Sequence, residues 1–347
     1  MKSGQTLAFR LVRQIAAALV GACCLQAAAA AQDAAGSADP DAVARANWRT
    51  AMAHNPASPE GCFHAAYPSV VWEAVTCHVL HPLVHPVFHK PTSGAKFVTG
   101  NGNDYVAEAA GLISETLGSF PSVSDIKTIK SAGVAAFGDG GILGANEYSL
   151  QLNTNFTGTT SVCAGHSGCT VWQQFIYATD YEVKGEAAVF MQYWLIDFGS
   201  SRCPSGFESD GEGDCFGNSA AATAPDQAIT GLGSFTLAGT AVAGGNDTVV
   251  FNSGTEAYSI TGKDSMLDIS AVWKESEFNI VGDAGGSRAD FNSGASVTVK
   301  VALTDGSTSA PTCVADDGTT GETNNLNLGS CTATAAASPF IEFTESD

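Results

Sequence analysis

Basic residues are scarce in this chain: 15 Lys and Arg stand against 35 Asp and Glu, a net charge of −20. So acidic a balance argues against nucleic acid and anionic membrane surfaces, both of which are held by basic patches. Charge of either sign is also sparse, at 14% of residues, and an acidic disordered chain carries more than that. No apolar run is long enough to cross a bilayer. No Cys-x-x-Cys pair occurs, which argues against a cysteine metal site, and no His-Glu-x-x-His occurs. "GHSGC" (165–169) has Cys169 where a nucleophile elbow needs glycine. "GDGG" (138–141) reads as a β-turn rather than a phosphate cradle.

The sequence does contain the signs of export. Lys2, Arg10 and Arg13 precede an apolar stretch from Ile15 to Leu25, and small residues near Ala30 and Ala31 suit cleavage. A second reading makes Cys23, in "LVGACC", a lipid anchor. Beyond residue 31 lie Cys62, Cys77, Cys163, Cys169, Cys203, Cys215, Cys313 and Cys331. An even count in an exported chain reads as disulfides. Nearest-neighbour couples predict 62–77, 163–169, 203–215 and 313–331. The expected location is extracellular or periplasmic.

"CHVLHPLVHPVFHK" (77–90) spaces His78, His81, His85 and His89 as a helical metal face would. Pro82 and Pro86 remove that possibility, since an interior proline costs a helix about 3 kcal/mol and turns the preceding residue away from helix. An extended linker fits better. "GNGNDY" (100–105) and "DDGTTGETNN" (316–325) are rich in Asp and Asn and would suit calcium, although neither matches an EF-hand loop.

From Phe97 onward, short alternating stretches separated by Gly, Asn and Asp turns predict strands. They cover 147–156, 171–181, 187–198, 234–242, 247–253, 256–262, 276–282, 296–305 and 340–345, while 104–118 is open between helix and strand. The expected fold class is all-β, an antiparallel β-sandwich or jelly roll. The expected organisation is a signal peptide over 1–31, an irregular or partly helical segment over 32–96 with Asp41 as a helix cap, and the sandwich over 97–347.

Alternation then sorts side chains onto faces. Trp172, Gln174, Ile176 and Ala178 share one side of their strand; Gln173, Phe175 and Tyr177 share the other. Gln192, Trp194 and Ile196 oppose Met191, Tyr193 and Leu195. Trp273, Glu275, Glu277 and Asn279 point one way, Phe278 and Ile280 the other. Two carboxylates about 6.6 Å apart on one strand face suit a general acid or base working at low pH. A glutamine among aromatic residues needs hydrogen-bond partners if it is buried.

Five stretches taken together, "GSFPSVS" (118–124), "YSLQLNTNF" (148–156), "WQQFIYA" (172–178), "MQYWLID" (191–197) and "SEFNIVGD" (276–283) followed by "GGSRADF" (285–291), resemble the glutamic peptidases, or eqolisins. The resemblance runs over about residues 97–305. It implies a concanavalin-like sandwich and an acid endopeptidase acting on protein or peptide. Glu277 would be the base and Gln174 the oxyanion donor, with Gln173 in its place after a one-residue slip. Trp194, Gln192 and Tyr177 would bind substrate. No metal or organic cofactor is implied, the chain would be a monomer, and 32–96 would be a propeptide. The chain departs from the family in having Gln192 before Tyr193-Trp194 and Phe278-Asn279 after Glu277. The alternative is a non-catalytic, lectin-like sandwich in which Trp172, Tyr177, Tyr193 and Trp194 stack on carbohydrate.

Overall fold

In the computed structural model, alternation along the strands builds two large antiparallel sheets. The structure describes residues 39–80, 104–133, 144–200, 202–211, 213–283, 287–315 and 323–347. The expected signal peptide, Cys23, and His81, His85 and His89 lie outside these residues, as do parts of both Asp/Asn-rich stretches. Contacts divide the chain into Met1–Ala44 and Arg45–Asp347. In the first unit the described residues are 39–44, where a helix over Pro40–Ala53 begins. Asp39, rather than the expected Asp41, caps it: the Asp41 N–H donates to Asp39 Oδ1 at 3.1 Å, and Pro40 takes the first helical position.

In the second unit, seven strands build the site and are numbered in chain order. They are β1 Tyr105–Glu108, β2 Ser149–Thr154, β3 Thr170–Val183, β4 Glu186–Ile196, β5 Cys215–Asn218, β6 Glu275–Val281 and β7 Phe340–Ser346. Among the described residues, one ten-stranded sheet contains the neighbours β5-β4-β3-β2-β6-β1 in that order. Ala220–Pro225 pairs with the first half of β4, and His78–Val79 pairs with Ala220–Pro225. A nine-stranded sheet faces it and holds β7 and Glu115–Ser124. A smaller, four-stranded sheet carries Thr323–Asn324. The result is an all-β sandwich. Residues 104–118, open between helix and strand in the sequence, form β1 and the start of Glu115–Ser124.

Two mid-strand glycines show how the sheets close on one another. A Cβ on Gly118 would sit 2.3 Å from the Phe278 ring, and one on Gly239 would sit 2.6 Å from Phe175. Tyr177 stacks on Phe251 with ring centroids 3.9 Å apart. Phe175, Tyr177 and Phe278 of the ten-stranded sheet therefore rest directly on backbone or rings of the nine-stranded sheet. Such pairs add roughly 0.5–1.5 kcal/mol beyond the area they bury.

The strand Gly61–Ala66 pairs along its whole length with Glu256–Lys263 inside the nine-stranded sheet. Residues 61–66, inside the stretch expected as an N-terminal segment, thus pair within the sandwich. The reason is packing: Trp48 and Met52 of the helix and Ala65 of the strand cover Ala257. All four disulfides pair as the spacing predicts, Cys62–Cys77, Cys163–Cys169, Cys203–Cys215 and Cys313–Cys331. They fit an oxidising compartment. No helix among the described residues is long and apolar enough to cross a membrane.

Among the described residues Asp104, Glu147, Asp180, Asp214, Asp247, Asp264, Glu277, Asp283 and Glu345 are buried, and no Lys, Arg or His is. Burial, then the neighbouring Asp264 charge, pushes Asp247 up to about 8. Burial, then Asp180, pushes Glu147 up to about 8. Carboxyls whose pKa rises on folding contribute stability that is fully present below the unfolded value near 4 and is lost as pH rises through the folded value. The melting temperature is therefore expected to fall between pH 4 and pH 8 in thermal scans; a rise over that window contradicts the assignment. Gly118→Ala is expected to cost roughly 1–3 kcal/mol through overpacking against Phe278, read from urea melts; an unchanged midpoint would show that the ring has room.

Candidate active site

The strands that send Phe175, Tyr177 and Phe278 into the core must send their alternate residues the other way. Strand register aligns these residues into one line across the sheet. Asn218 of β5 lies opposite Gln192 of β4, Gln192 opposite Gln174 of β3, Gln174 opposite Asn153 of β2, and Asn153 opposite Glu277 of β6. Five strands thus give a row of five amide and carboxyl side chains, running from Asn218 to Glu277, on the face turned away from the nine-stranded sheet.

Apolar side chains flank the row on both sides. Trp172, Trp194, Phe216, Phe156 and Ile196 form one cluster, in which the Phe156 and Trp172 rings stack at 4.4 Å. Ile176, Ala178, Phe190, Tyr181 and Leu80 belong to the other. Enclosed in this way, the polar groups must satisfy one another. Gln192 Nε2 donates to Asn218 Oδ1 at 2.9 Å, and Trp194 Nε1 donates to Gln192 Oε1 at 2.9 Å. Gln174 Nε2 donates to Gln151 Oε1 at 2.8 Å, and Gln151 Nε2 donates to Ser149 Oγ at 3.1 Å. Asn153 Nδ2 donates to Glu277 Oε2. Asn153 Oδ1 is buried and has no hydrogen-bond partner among the described residues.

The acidic end of the row continues beyond Glu277. Asp104 lies beside the side chains of Glu277 and Asn279, and burial raises its pKa. Asn279 Nδ2 donates to Glu345 Oε1 of β7 at 2.8 Å, and Asn324 Nδ2 donates to Glu345 Oε2 at 3.1 Å. Burial pushes Glu345 up to about 8, with Asp104 adding to the rise.

The structure sets Gln174 and Glu277 on one face, separated by Asn153. Gln173 points the other way: it is fully buried, with Nε2 3.7 Å from Met191 Sδ. Gln174 and Glu277 are each 1% exposed. Tyr177, expected to bind substrate, does not reach this face. It has the parity of Phe175 and packs between the sheets, where its hydroxyl accepts from the Gln227 N–H at 2.8 Å. Trp273 likewise does not flank Glu277; it lies before β6 begins and packs on Phe175 at 5.6 Å. Trp194 is on the expected face but wholly buried, so it supports Gln192 rather than walling an open cleft. Trp172, Tyr177, Tyr193 and Trp194 are all at most 2% exposed, so in this form none of them presents an open ring. The sequence reading missed Gln151, Asn153, Asp104, Asn279 and Glu345. The alternation of Gln151 and Asn153 in "LQLNT" is the same signal that drew attention to Gln174.

No family model matches this chain, and no curated protein matches it. A crystal structure of scytalido-glutamic peptidase with a transition state analog inhibitor is similar at 9% identity and a TM-score of 0.26, over 71% of this chain and 98% of that one. A structural likeness that distant carries no argument for activity.

Replacing Glu345 by Gln keeps an acceptor for one of the Asn279 and Asn324 amides and removes one buried titration. Glu345→Gln is expected to lose less stability than wild type between pH 4 and pH 8; a variant that loses as much as wild type over that window contradicts a protonated Glu345.

Proposed function

We propose that the chain is an exported acid endopeptidase of the glutamic type. The observation that carries this reading is the shared row: Gln174 and Glu277 leave the same sheet face two strands apart, with Asn153 between them. Adjacent strands are about 4.8 Å apart, so the two backbones are about 10 Å apart. Asn153 stands between them in this form and is bonded to Glu277.

Glu277, as carboxylate, takes a proton from water while the water oxygen attacks the carbonyl carbon. The carbonyl oxygen gains negative charge and accepts a hydrogen bond from the Gln174 amide, a contact typically worth about 2.7–4 kcal/mol at the transition state. Gln151 Oε1 accepts one N–H of that amide and so fixes its orientation. Glu277 then passes its proton to the leaving nitrogen as the C–N bond breaks. Asn153 Nδ2, bonded to Glu277 Oε2, holds the base in place.

Both reacting side chains are buried, so this reading requires a precursor that is converted to an accessible form. We assign residues 32–96 to the precursor's N-terminal segment. Releasing that segment whole would take Gly61–Ala66 out of the nine-stranded sheet. Maturation in this reading therefore cuts the chain and leaves that strand in place.

Casein digestion at pH 3–4 that resists pepstatin is the expected result. Glu277→Gln is expected to abolish it, and Gln174→Ala to reduce kcat by about 10²–10³. Digestion that survives Glu277→Gln, or a wild-type chain that cuts nothing after incubation at pH 3–4, contradicts the proposal.

A further inference from the structure

The helix over Pro40–Ala53 lies on the face of the nine-stranded sheet turned away from the ten-stranded one, where Ala53 packs on Ala238 and Val250. Ala46, Arg49 and Ala53 recur at helical spacing on the side that meets the sheet. Below them, Leu117 and Ser119 alternate outward from Glu115–Ser124, and register sets Thr236 opposite Ser119. These six are among the residues that line a half-open cavity of about 230 Å³, and Arg49 carries the only charge on its wall. In a chain with 15 basic and 35 acidic residues, a half-buried arginine has many carboxylates to choose from. Yet among the described residues Arg49 has no ion-pair or hydrogen-bond partner. Glu115, the next acid along that face of the strand, is bonded to His54 instead. Burial, then the like charge of Arg45 one turn back, lowers the Arg49 pKa, but a guanidinium stays charged in proteins. Thr236 Oγ1 accepts from Asn252 Nδ2 at 3.2 Å, which leaves its own hydrogen to donate. Ser119 adds a second hydroxyl.

We propose that this cavity binds a small organic carboxylate with an apolar body. The carboxylate pairs with Arg49, whose guanidinium offers two parallel N–H donors. The hydroxyls of Ser119 and Thr236 donate to its remaining lone pairs. The apolar body rests against Ala46, Ala53 and Leu117. A cavity of about 150 Å³ holds a benzene ring, so one of about 230 Å³ holds a ring with a carboxylate attached. The charge selects an anion, and the apolar wall selects an organic acid over an inorganic one. The site lies on the opposite side of the sandwich from Gln174 and Glu277 and does not rest on the peptidase reading.

Titration of the full chain with phenylacetate tests it, at about pH 6 where a carboxylate is ionised, followed by calorimetry and ¹H–¹⁵N shifts. Saturable binding is expected, with the largest shifts at Arg49, Ser119 and Thr236. Phenylacetamide has the same shape without the charge, and inorganic sulfate has charge without the ring. Each is expected to bind at least about tenfold more weakly than phenylacetate. Arg49→Gln is expected to weaken phenylacetate binding at least about tenfold. Ala46→Phe, which fills the apolar end and keeps the charge, is expected to weaken it as much. Melting temperatures check that both variants fold. Glu277→Gln is expected to bind phenylacetate as wild type does. Phenylacetamide or sulfate binding as tightly as phenylacetate overturns the inference. So does either folded variant binding phenylacetate unchanged, a set of shifts centred elsewhere, or a Kd weaker than about 10 mM.

Discussion

A line of amide and carboxyl groups buried on the face of a sheet opposite its own core is the constraint on which the rest of this structure depends. Burying any one of these groups unpaired costs roughly 1–3 kcal/mol. Burying several is tolerable only if register brings them together, and the hairpin of β3 and β4 does so by setting Gln174 against Gln192 and Trp172 against Trp194. A slip of one residue would send Gln174 into the core and Phe175 to the other face. The cluster around Trp172 and Trp194 at one end of these strands and that around Ile176, Phe190 and Tyr181 at the other pin the strands in place, and so fix the polar row between them. Gly118 and Gly239 in the opposing sheet serve the same end, by admitting Phe278 and Phe175 on the core side.

The same burial ties the fold's stability to pH. Among the described residues several buried carboxyls lie beside other carboxyls: Asp104 beside Glu277, Asp247 beside Asp264, Glu147 beside Asp180. Ionised together such pairs repel, and among the described residues no Lys, Arg or His is buried to compensate them. Protonation relieves the repulsion, so these buried acids favour the fold at low pH.

Much of this was legible in the chain. Alternation located the strands because one side of each meets the opposing sheet, and neighbour spacing of the cysteines located all four disulfides because each closes a short loop. His81 and His85, whose following prolines argue against a helical metal face, lie outside the described residues. The parity that paired Gln174 with Trp172 was also readable, and the same parity should have kept Tyr177 out of the site. Trp273 was misassigned because alternation was extended two residues past the start of β6, where the backbone is no longer a strand. Asp104 and Glu345 were out of reach: each meets Asn279 only through tertiary pairing, across a long stretch of intervening chain, and no local pattern records that meeting. The N-terminal strand Gly61–Ala66 was missed for the same reason, since its partner lies nearly two hundred residues on.

The central claim is that Gln174 and Glu277 act on one substrate carbonyl from a shared face. A crystal structure at pH 4 of the acid-matured chain with a peptide transition-state mimic tests it most directly. The account predicts the mimic's carbonyl-derived oxygen at about 2.7–3.1 Å from Gln174 Nε2, with a Glu277 oxygen on the same centre. A mimic bound elsewhere, with the row still closed and Gln174 still on Gln151, would contradict it.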